Sequence, residues 1–463
     1  VKSEPEIARG GNMGNRICIH GHFYQPPRES PTSGLIGIQE SAAPFRDWNF
    51  RITSECYRPN LFAPILSGNS EVRREINTYE HISFNFGPTL LSWMHRYAPD
   101  VVRGLKEADE RSGIRLGYGN GIAQAYHHSI LPLCNEEDKR TEIRWGIDDF
   151  MFRFGRQPEG IWLGETAADS ATLRMIADSG IQFVILCPRQ AKSIAPHLDG
   201  PWEPVTESDV IHEPFWADVG GGKKLAIFFY SGPASQGVAF DGWLHDGRGM
   251  ADHLKAAAHP FVSVATDGES YGHHHKGGDM ALAACIEAMR EKEDAMLTNF
   301  SAELSANPPR RWARIVEGSS WSCFHGVGRW SANCGCVMDP KWAGKQQWRS
   351  ILRSALNRLR DRIDEACISL VGGDEKGLWE ERNAYIHAIH KAEQRAGELS
   401  EVSVMALQRR RLMMFTSCGW FFDRPTGLET LQILRYADSA IRLTEELTGK
   451  PLAGSFLKDL TGL

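Results

Sequence analysis

Two acidic residues stand directly behind short apolar runs, where a carboxylate needs a reason to be. Gly160-Ile161-Trp162-Leu163-Gly164 leads into Glu165, and Phe261-Val262-Ser263-Val264-Ala265-Thr266 leads into Asp267, with Glu269 two residues on. A third run, Arg16-Ile17-Cys18-Ile19, ends in His20 and His22, with Gln25-Pro26-Pro27 just beyond. A carboxylate at the tip of a buried strand is costly to desolvate unless it is paired or chemically employed. One such acid could simply cap the helix that follows. Two acids and two histidines at three tips point to a working site. Two carboxylates across an aromatic-lined cleft are what cleavage of a glycosidic bond requires. One gives a proton to the leaving oxygen; the other attacks the anomeric carbon or activates water, according to a separation of about 5–5.5 Å or about 6.5–9.5 Å. Whichever acid donates must stay protonated near neutral pH, and desolvation and a neighbouring carboxylate both push it that way. Glu269 is expected to be a loop hydrogen-bond acceptor, and an exchange of roles with Asp267 stays open.

The elements that must position these residues alternate in character. The runs Arg16–His20, His81–Phe86, Gly160–Leu163, Gln182–Cys187, Lys224–Tyr230 and Phe261–Thr266 are of strand length and rich in Ile, Val and Phe. Between them the pattern predicts helices over Pro88–Tyr97, Glu136–Phe152, Asp169–Ser179 and Gly278–Lys292. Strand alternating with helix predicts an α/β fold with a parallel sheet, open or closed into a barrel whose active residues gather at the C-terminal strand ends. The connection from Gln25 to Asn49 has the length of a functional loop. After Trp342 apolar residues recur at helical spacing, as in Trp348, Leu352, Ala355, Leu359 and Ile363, then Tyr385 and Ile389, then Leu428 to Ile441. Two regions are therefore expected: a catalytic barrel over 15–340 and a helical bundle over 341–463 that completes the cleft.

Composition narrows the function. The chain is 42% hydrophobic and 24% charged, ordinary globular usage that excludes a disordered, collagen-like or membrane-embedded protein. With 52 basic and 58 acidic residues the net charge is −6, so neither nucleic acid nor an acidic membrane is an expected partner. Several of the 14 Trp sit beside Gly, His, Arg or Asp instead of in apolar runs, which suits a groove that stacks sugar rings. The ten cysteines contain no C-x-x-C pair and are expected as reduced thiols of a cytoplasmic protein. Cys334-Gly335-Cys336 with Cys323 and His325 offers four zinc donors, but without the cleaner two-plus-two spacing the expectation is buried thiols and no metal. The first 16 residues lack an apolar core of signal-peptide length, and no later run reaches membrane-spanning length.

These motifs resemble those of glycoside hydrolase family 57. Ile19-His20-Gly21-His22-Phe23-Tyr24-Gln25-Pro26-Pro27 is similar to the family's His-x-His-Gln-Pro signature, with Phe23-Tyr24 inserted before Gln25. Gly160–Glu165 is similar to the motif ending in the nucleophile, and Val264–His274 to the motif whose first Asp is the general acid/base. The resemblance implies Glu165 as nucleophile and Asp267 as acid/base in a retaining double displacement on α-linked sugars. It implies a distorted parallel (β/α)7 barrel followed by a C-terminal α-helical bundle, and no cofactor or metal. Phe324–Trp330 and Phe415–Asp423 look like a little-characterised subgroup with an uncharacterised helical domain. The second motif departs: amylolytic members carry Glu where Gln124 stands, with His127 close behind, which puts the usual α-1,4-glucan in question. Expected sugar contacts at the barrel tips are His20, His22, Gln25, Gln124, His127, Trp162 and Glu269. From the region beyond come Arg329, Trp330, Trp420 and Asp423.

Two other readings compete. His20, His22, Asp267 and His273-His274-His275 could ligate zinc in a metal-dependent polysaccharide deacetylase or hydrolase. Alternatively, the fold could persist as a glycan-binding protein without turnover. Oligomeric state, endo or exo action and the choice of water or sugar as acceptor are not encoded in these patterns.

Overall fold

The computed structural model describes residues 14–67, 71–292, 295–395 and 399–461; the first 13 residues lie outside them. Each of the six apolar runs forms a strand: β1 (Asn15–Phe23), β2 (Ser83–Phe86), β4 (Gly160–Trp162), β5 (Phe183–Leu186), β6 (Lys223–Phe229) and β7 (Phe261–Asp267). One more, β3 (Ala123–Gln124), is two residues long and leaves no periodicity to detect.

The seven strands run parallel. β1 has β7 on one side and, on the other, the parallel strand Ala295–Leu297 beside its first half and β2 beside its second, in a register that sets His22 against both Asp267 and Asn85. A second group runs β3–β4–β5–β6, with Gln124 beside Trp162. The groups meet twice, through a parallel bridge between Phe84 and Gly121 and a 2.7 Å hydrogen bond from Ser231 N–H to the Ser263 carbonyl. All seven C-terminal tips therefore face one end, the geometric requirement for bringing Glu165 and Asp267 together. Beyond β6 the sheet is no longer purely parallel. Phe215–Gly220 pairs antiparallel with β6, and the strands Trp312–Ile315, Ala191–Ala195 and Glu203–Pro204 extend the sheet from there.

The helices expected over Pro88–Tyr97 and Gly278–Lys292 have those bounds, and the other two form as Glu136–Phe154 and Ser170–Asp178. Glu136–Phe154 is capped by the Asn135 side chain on Asp138 N–H and stopped by left-handed Gly155. The later helices are Trp348–Leu370, Glu375–Arg395, Val404–Met413, Leu428–Thr448 and Ala453–Asp459. Leu352, Ala355, Leu359 and Ile363 are buried along one stripe, the face predicted by their spacing. No helix among the described residues is long and apolar enough to cross a membrane.

A buried polar network fastens the two regions. Asp138, on Glu136–Phe154, accepts a 3.1 Å hydrogen bond from Arg382 and another from Arg411, and Arg411 also pairs with Asp364. Gln408 donates to Asp364 at 2.9 Å, and Trp145 Nε1–H donates to the Arg382 carbonyl at 3.1 Å. Arg382 and Arg411 are fully buried, so each guanidinium depends on these acids. Asp138→Ala is expected to cost about 3–5 kcal/mol in urea unfolding, because two cations lose their shared anion in a dry interface. A loss near that of a surface ion pair, under about 1 kcal/mol, would show that the network does not hold the regions together.

Candidate active site

Glu165 sits at the β4 tip in a turn that few sequences could adopt. Its φ of 58° and that of Thr166, 50°, are left-handed, and among the described residues His128 is the one other non-glycine residue in that region. Such backbone costs about 1–3 kcal/mol per residue and concentrates at functional sites. The turn also needs Gly164: a Cβ there would lie 2.8 Å from the Ser129 carbonyl oxygen and 2.9 Å from that of His128. The Glu165 side chain is buried, and Oε2 accepts hydrogen bonds from Trp321 Nε1–H (2.9 Å) and the Ser322 hydroxyl (2.6 Å). Burial raises its pKa, while those two donors and the charge of Arg329 pull it back.

Asp267, at the β7 tip, is the opposite kind of carboxylate. Its side chain is open to the cleft, and no hydrogen bond from the described residues acts on its proton affinity. The protein packed around the β7 tip nevertheless desolvates it. That desolvation pushes the carboxyl up to about 8, with the charges of Glu269 and Glu165 adding to it. Glu269 is held in place: Tyr57 O–H and Tyr24 N–H (3.2 Å) both donate to Oε1. Burial still lifts it to about 7 against those bonds. Gln25, half-buried, lies against Glu269 and Tyr57 and accepts from Arg28 at 2.9 Å.

The two motif histidines lie beneath this pair in a relay. His20 Nε2 meets Asn85 Oδ1 at 3.0 Å and its Nδ1 meets Ser83 Oγ at 3.0 Å. The Asn85 amide donates to His22 Nδ1 (2.9 Å) and to Gln124 Oε1 (2.7 Å). His22 Nδ1 is then an acceptor, so the neutral ring carries its proton on Nε2, which meets His128 Nε2 at 3.1 Å. His128 in turn donates from Nδ1 to Ser417 Oγ at 2.6 Å. Burial drives His20 and His128 down to about 3 and His22 well below its ordinary value, as these neutral tautomers require.

Several expected sugar contacts are not brought to the cleft. Trp162 is fully buried, its ring stacked 5.0 Å from that of His20 and 4.9 Å from that of His22, a floor beneath the site. Trp330 and Trp420 are fully buried in the helical core, where Trp420 lies under Arg353 at 3.9 Å. Asp423 is occupied by the N–H groups of Met338 and Asp339, and Arg329 donates to the Phe421 carbonyl at 3.2 Å. His127 is buried against Glu142 at 2.7 Å. Gln124 is buried, with its Nε2 lacking a partner. The interior outcompetes a cleft position for the large rings, although Trp162 Nε1, Trp330 Nε1, His127 Nε2 and Arg329 Nε also lack a partner there.

The residues that sequence reasoning missed are Trp321, Ser322, Tyr57 and Asn85. Trp321 is the half-buried aromatic that meets Glu165, and its Ser-rich surroundings were the available signal. Asn85 was visible as a lone amide inside an apolar strand. A hollow of about 1150 Å³ lies elsewhere, between residues 29–35 and the helical region, and none of the three carboxylates lines it.

The histidine and carboxylate set of the deacetylase reading does not converge. His20 and His22 have both ring nitrogens engaged, His273 pairs with Glu55 at 2.5 Å, and His275 donates to the Ala239 carbonyl at 2.8 Å. Among the described residues the one group with metal-ligand spacing is Cys323, His325, Cys334 and Cys336. The expectation of unrelated buried thiols is corrected on this point: of these four only Cys323 is buried. All ten cysteines are free.

Comparison with known proteins identifies the family. Residues 32–312 match glycosyl hydrolase family 57, and residues 342–462 match a domain of unknown function, DUF3536. The chain belongs to glycosyl hydrolase family 57. Alpha-amylase 1 of Dictyoglomus thermophilum is 27% identical over 106 residues, 23% of this chain and 15% of that protein. The 4-alpha-glucanotransferase of Thermococcus litoralis is 22% identical over 130 residues, 28% of this chain and 17% of that protein. These alignments span under a fifth of the relatives' own length. Among solved structures, an exo-type maltose-forming amylase from Pyrococcus sp. ST04 superposes with a TM-score of 0.68 at 13% identity, over 96% of this chain and 82% of that one. A family 57 branching enzyme from Thermococcus kodakaraensis gives 0.64 at 16% identity, over 96% and 94%. At these identities the likeness is one of fold: a barrel-like α/β body with helices after it.

The environment of Asp267 has a consequence for stability. An unfolded Asp ionises near about 3.9, so the folded state holds one extra proton from there up to about 8. Stability attributable to this group therefore falls as pH rises through that window and is flat above it. Asp267→Asn removes the penalty and is expected to raise Tm at pH about 8 more than at pH about 4. An equal change at both values would show that Asp267 titrates normally.

Proposed function

We propose that this protein is a retaining glycoside hydrolase or transglycosylase acting on α-linked glucans, with Glu165 as nucleophile and Asp267 as general acid/base. The observation that carries the reading is the contrast between the two carboxylates: burial raises Glu165, but two donors on one oxygen stabilise its anion against that, whereas Asp267 has none and is pushed up to about 8. Environments that separate two carboxylates in this way assign acid and nucleophile. Family membership and relatives named as an alpha-amylase and a 4-alpha-glucanotransferase support the α-glucan class.

In the first step Glu165 attacks the anomeric carbon while Asp267 protonates the departing glycosidic oxygen. A glycosyl ester forms on Glu165 and the aglycone leaves with the proton. In the second step Asp267, now a carboxylate, takes a proton from water or a sugar hydroxyl, which attacks the same carbon and frees Glu165. Glu269, held by Tyr57 and Tyr24, would raise the proton affinity of Asp267 instead of reacting itself. His22 and Asn85 would hold the floor of the glycone site. The same reading takes the seven parallel strands as a closed (β/α)7 barrel over 15–340, with 341–463 completing the cleft, in a cytoplasmic protein whose thiols stay reduced.

The test is a panel of α-linked oligosaccharides, followed by anomeric proton NMR of the earliest products, with Glu165→Gln as control. Cleavage or transfer giving α-product first, absent from the control, is expected. Silence across the panel would favour a glycan-binding protein without turnover, and cleavage indifferent to Glu165 would sink the nucleophile assignment. The pH profile of kcat/KM should fall on the alkaline side near about 8, where Asp267 loses its proton, and on the acid side as Glu165 gains one. Asp267→Asn is expected to lower kcat/KM by about 10²–10⁴-fold on a natural glycan. The loss should be far smaller on an aryl glycoside whose leaving group needs no proton. Equal losses on both substrates would remove Asp267 from the acid role.

A further inference from the structure

Four side chains that glycoside chemistry leaves unused meet in the loop that follows Trp321 and Ser322. The Sγ atoms of Cys323 and Cys334 lie 3.9 Å apart, those of Cys323 and Cys336 lie 3.7 Å apart, and Cys336 Sγ is 3.4 Å from His325 Nδ1. All four donor atoms fall within 4.8 Å of one another. A tetrahedral zinc, with Zn–S of about 2.3 Å and Zn–N of about 2.0–2.1 Å, needs S···S of about 3.8 Å and S···N of about 3.6 Å. A disulfide would need about 2.0 Å. The cluster has the dimensions of the former.

We propose that Cys323, His325, Cys334 and Cys336 bind one zinc ion that fastens the loop holding Trp321 and Ser322 on Glu165. Thiolate with imidazole is the donor set that selects zinc over magnesium or calcium. Four protein ligands close the coordination sphere, leaving no position for water or substrate, so the ion is structural and takes no part in bond cleavage. Gly335, with φ of +87°, supplies the left-handed residue that lets Cys334 and Cys336 direct their sulfurs to one centre. His325 is exposed and Cys334 and Cys336 are half-buried, so an ion enters without unfolding.

Charge is balanced nearby. Each coordinated thiol releases its proton to solvent, and three thiolates with Zn²⁺ carry one net negative charge. The buried Arg349 guanidinium feels Cys334 and Cys336 and donates to the Cys336 carbonyl at 2.8 Å. The mechanical need is equally plain. Between Ile315 and Trp348 the chain forms only two short 3-10 turns, Gly328–Trp330 and Pro340–Trp342. Yet this stretch supplies both donors to Glu165. A metal cross-link gives it the rigidity that secondary structure does not.

The experiment is elemental analysis of the full chain, expressed with zinc and purified with reductant but no chelator. About one equivalent of zinc per chain is expected. Chelator-stripped protein should regain one equivalent, or take up cobalt(II) with thiolate-to-metal charge-transfer bands and the intense red-region bands of tetrahedral coordination. Amide hydrogen exchange over 321–339 should quicken on stripping and slow again on reloading. Cys334→Ser combined with Cys336→Ser should lose the metal. If that variant does not fold, the cobalt spectrum of the wild-type chain decides. Substoichiometric zinc, iron or copper in its place, octahedral cobalt bands, or a Cys323–Cys336 disulfide in the native protein would overturn the assignment. Metal content is independent of whether Glu165 is the nucleophile, so each proposal can fail without the other.

Discussion

Two hydrogen bonds to one carboxylate oxygen organise this site. Glu165 Oε2 is held by Trp321 and Ser322, residues 156 and 157 positions further along the chain. A left-handed Glu165 would be free to swing if its turn stood alone. It does not, because Trp321 N–H also donates to the Glu165 carbonyl at 3.1 Å and Ala168 pairs with Ser319. Gln190 closes the joint by donating to the carbonyls of Thr166 (2.9 Å) and Ser319 (3.1 Å). Backbone strain at Glu165 and Thr166 is thus offset by contacts from a distant loop, the pattern expected where geometry serves chemistry.

Beneath the carboxylates, the histidine relay does a different job. Asn85 donates twice and accepts once, and those three bonds tie it to His22, Gln124 and His20. The relay then leaves the sheet through His128 and ends on Ser417, in the helical region. Ser129 also pairs with Thr416, a second link between the helical region and the segment that follows β3. Neutral imidazoles suit this position, since a charged one beside Asp267 would lower the carboxyl that the acid role needs raised.

The fate of the tryptophans shows where sequence patterns mislead. Trp330 and Trp420 sit near Gly, Arg and Asp, a context that suggested sugar stacking. Both are buried, because each indole face covers core surface that no smaller residue would fill. Trp321, with a serine on either side, does reach the site. Local composition cannot tell these apart, because what decides is the direction from which the loop arrives. The cysteines repeat the lesson. Their irregular spacing gave no sign that four donors converge, yet spacing constrains donors only within one hairpin or turn, and here two separated segments bring two donors each to one place.

The sequence by itself determined the strands and helices and the residues at their tips. Period and length are local properties, and Glu165, Asp267, His20 and His22 follow their strands directly. It also determined the helical character after Trp342, through apolar spacing that one buried stripe explains. Only the tertiary structure decided which acid is clamped and which is left open, since Trp321, Ser322 and Tyr57 come from segments distant in sequence. It also decided the two-residue strand at Ala123–Gln124 and the antiparallel flank beyond β6. Proton affinity and exposure are set by everything that surrounds a group at once, and no window of neighbouring residues contains that sum.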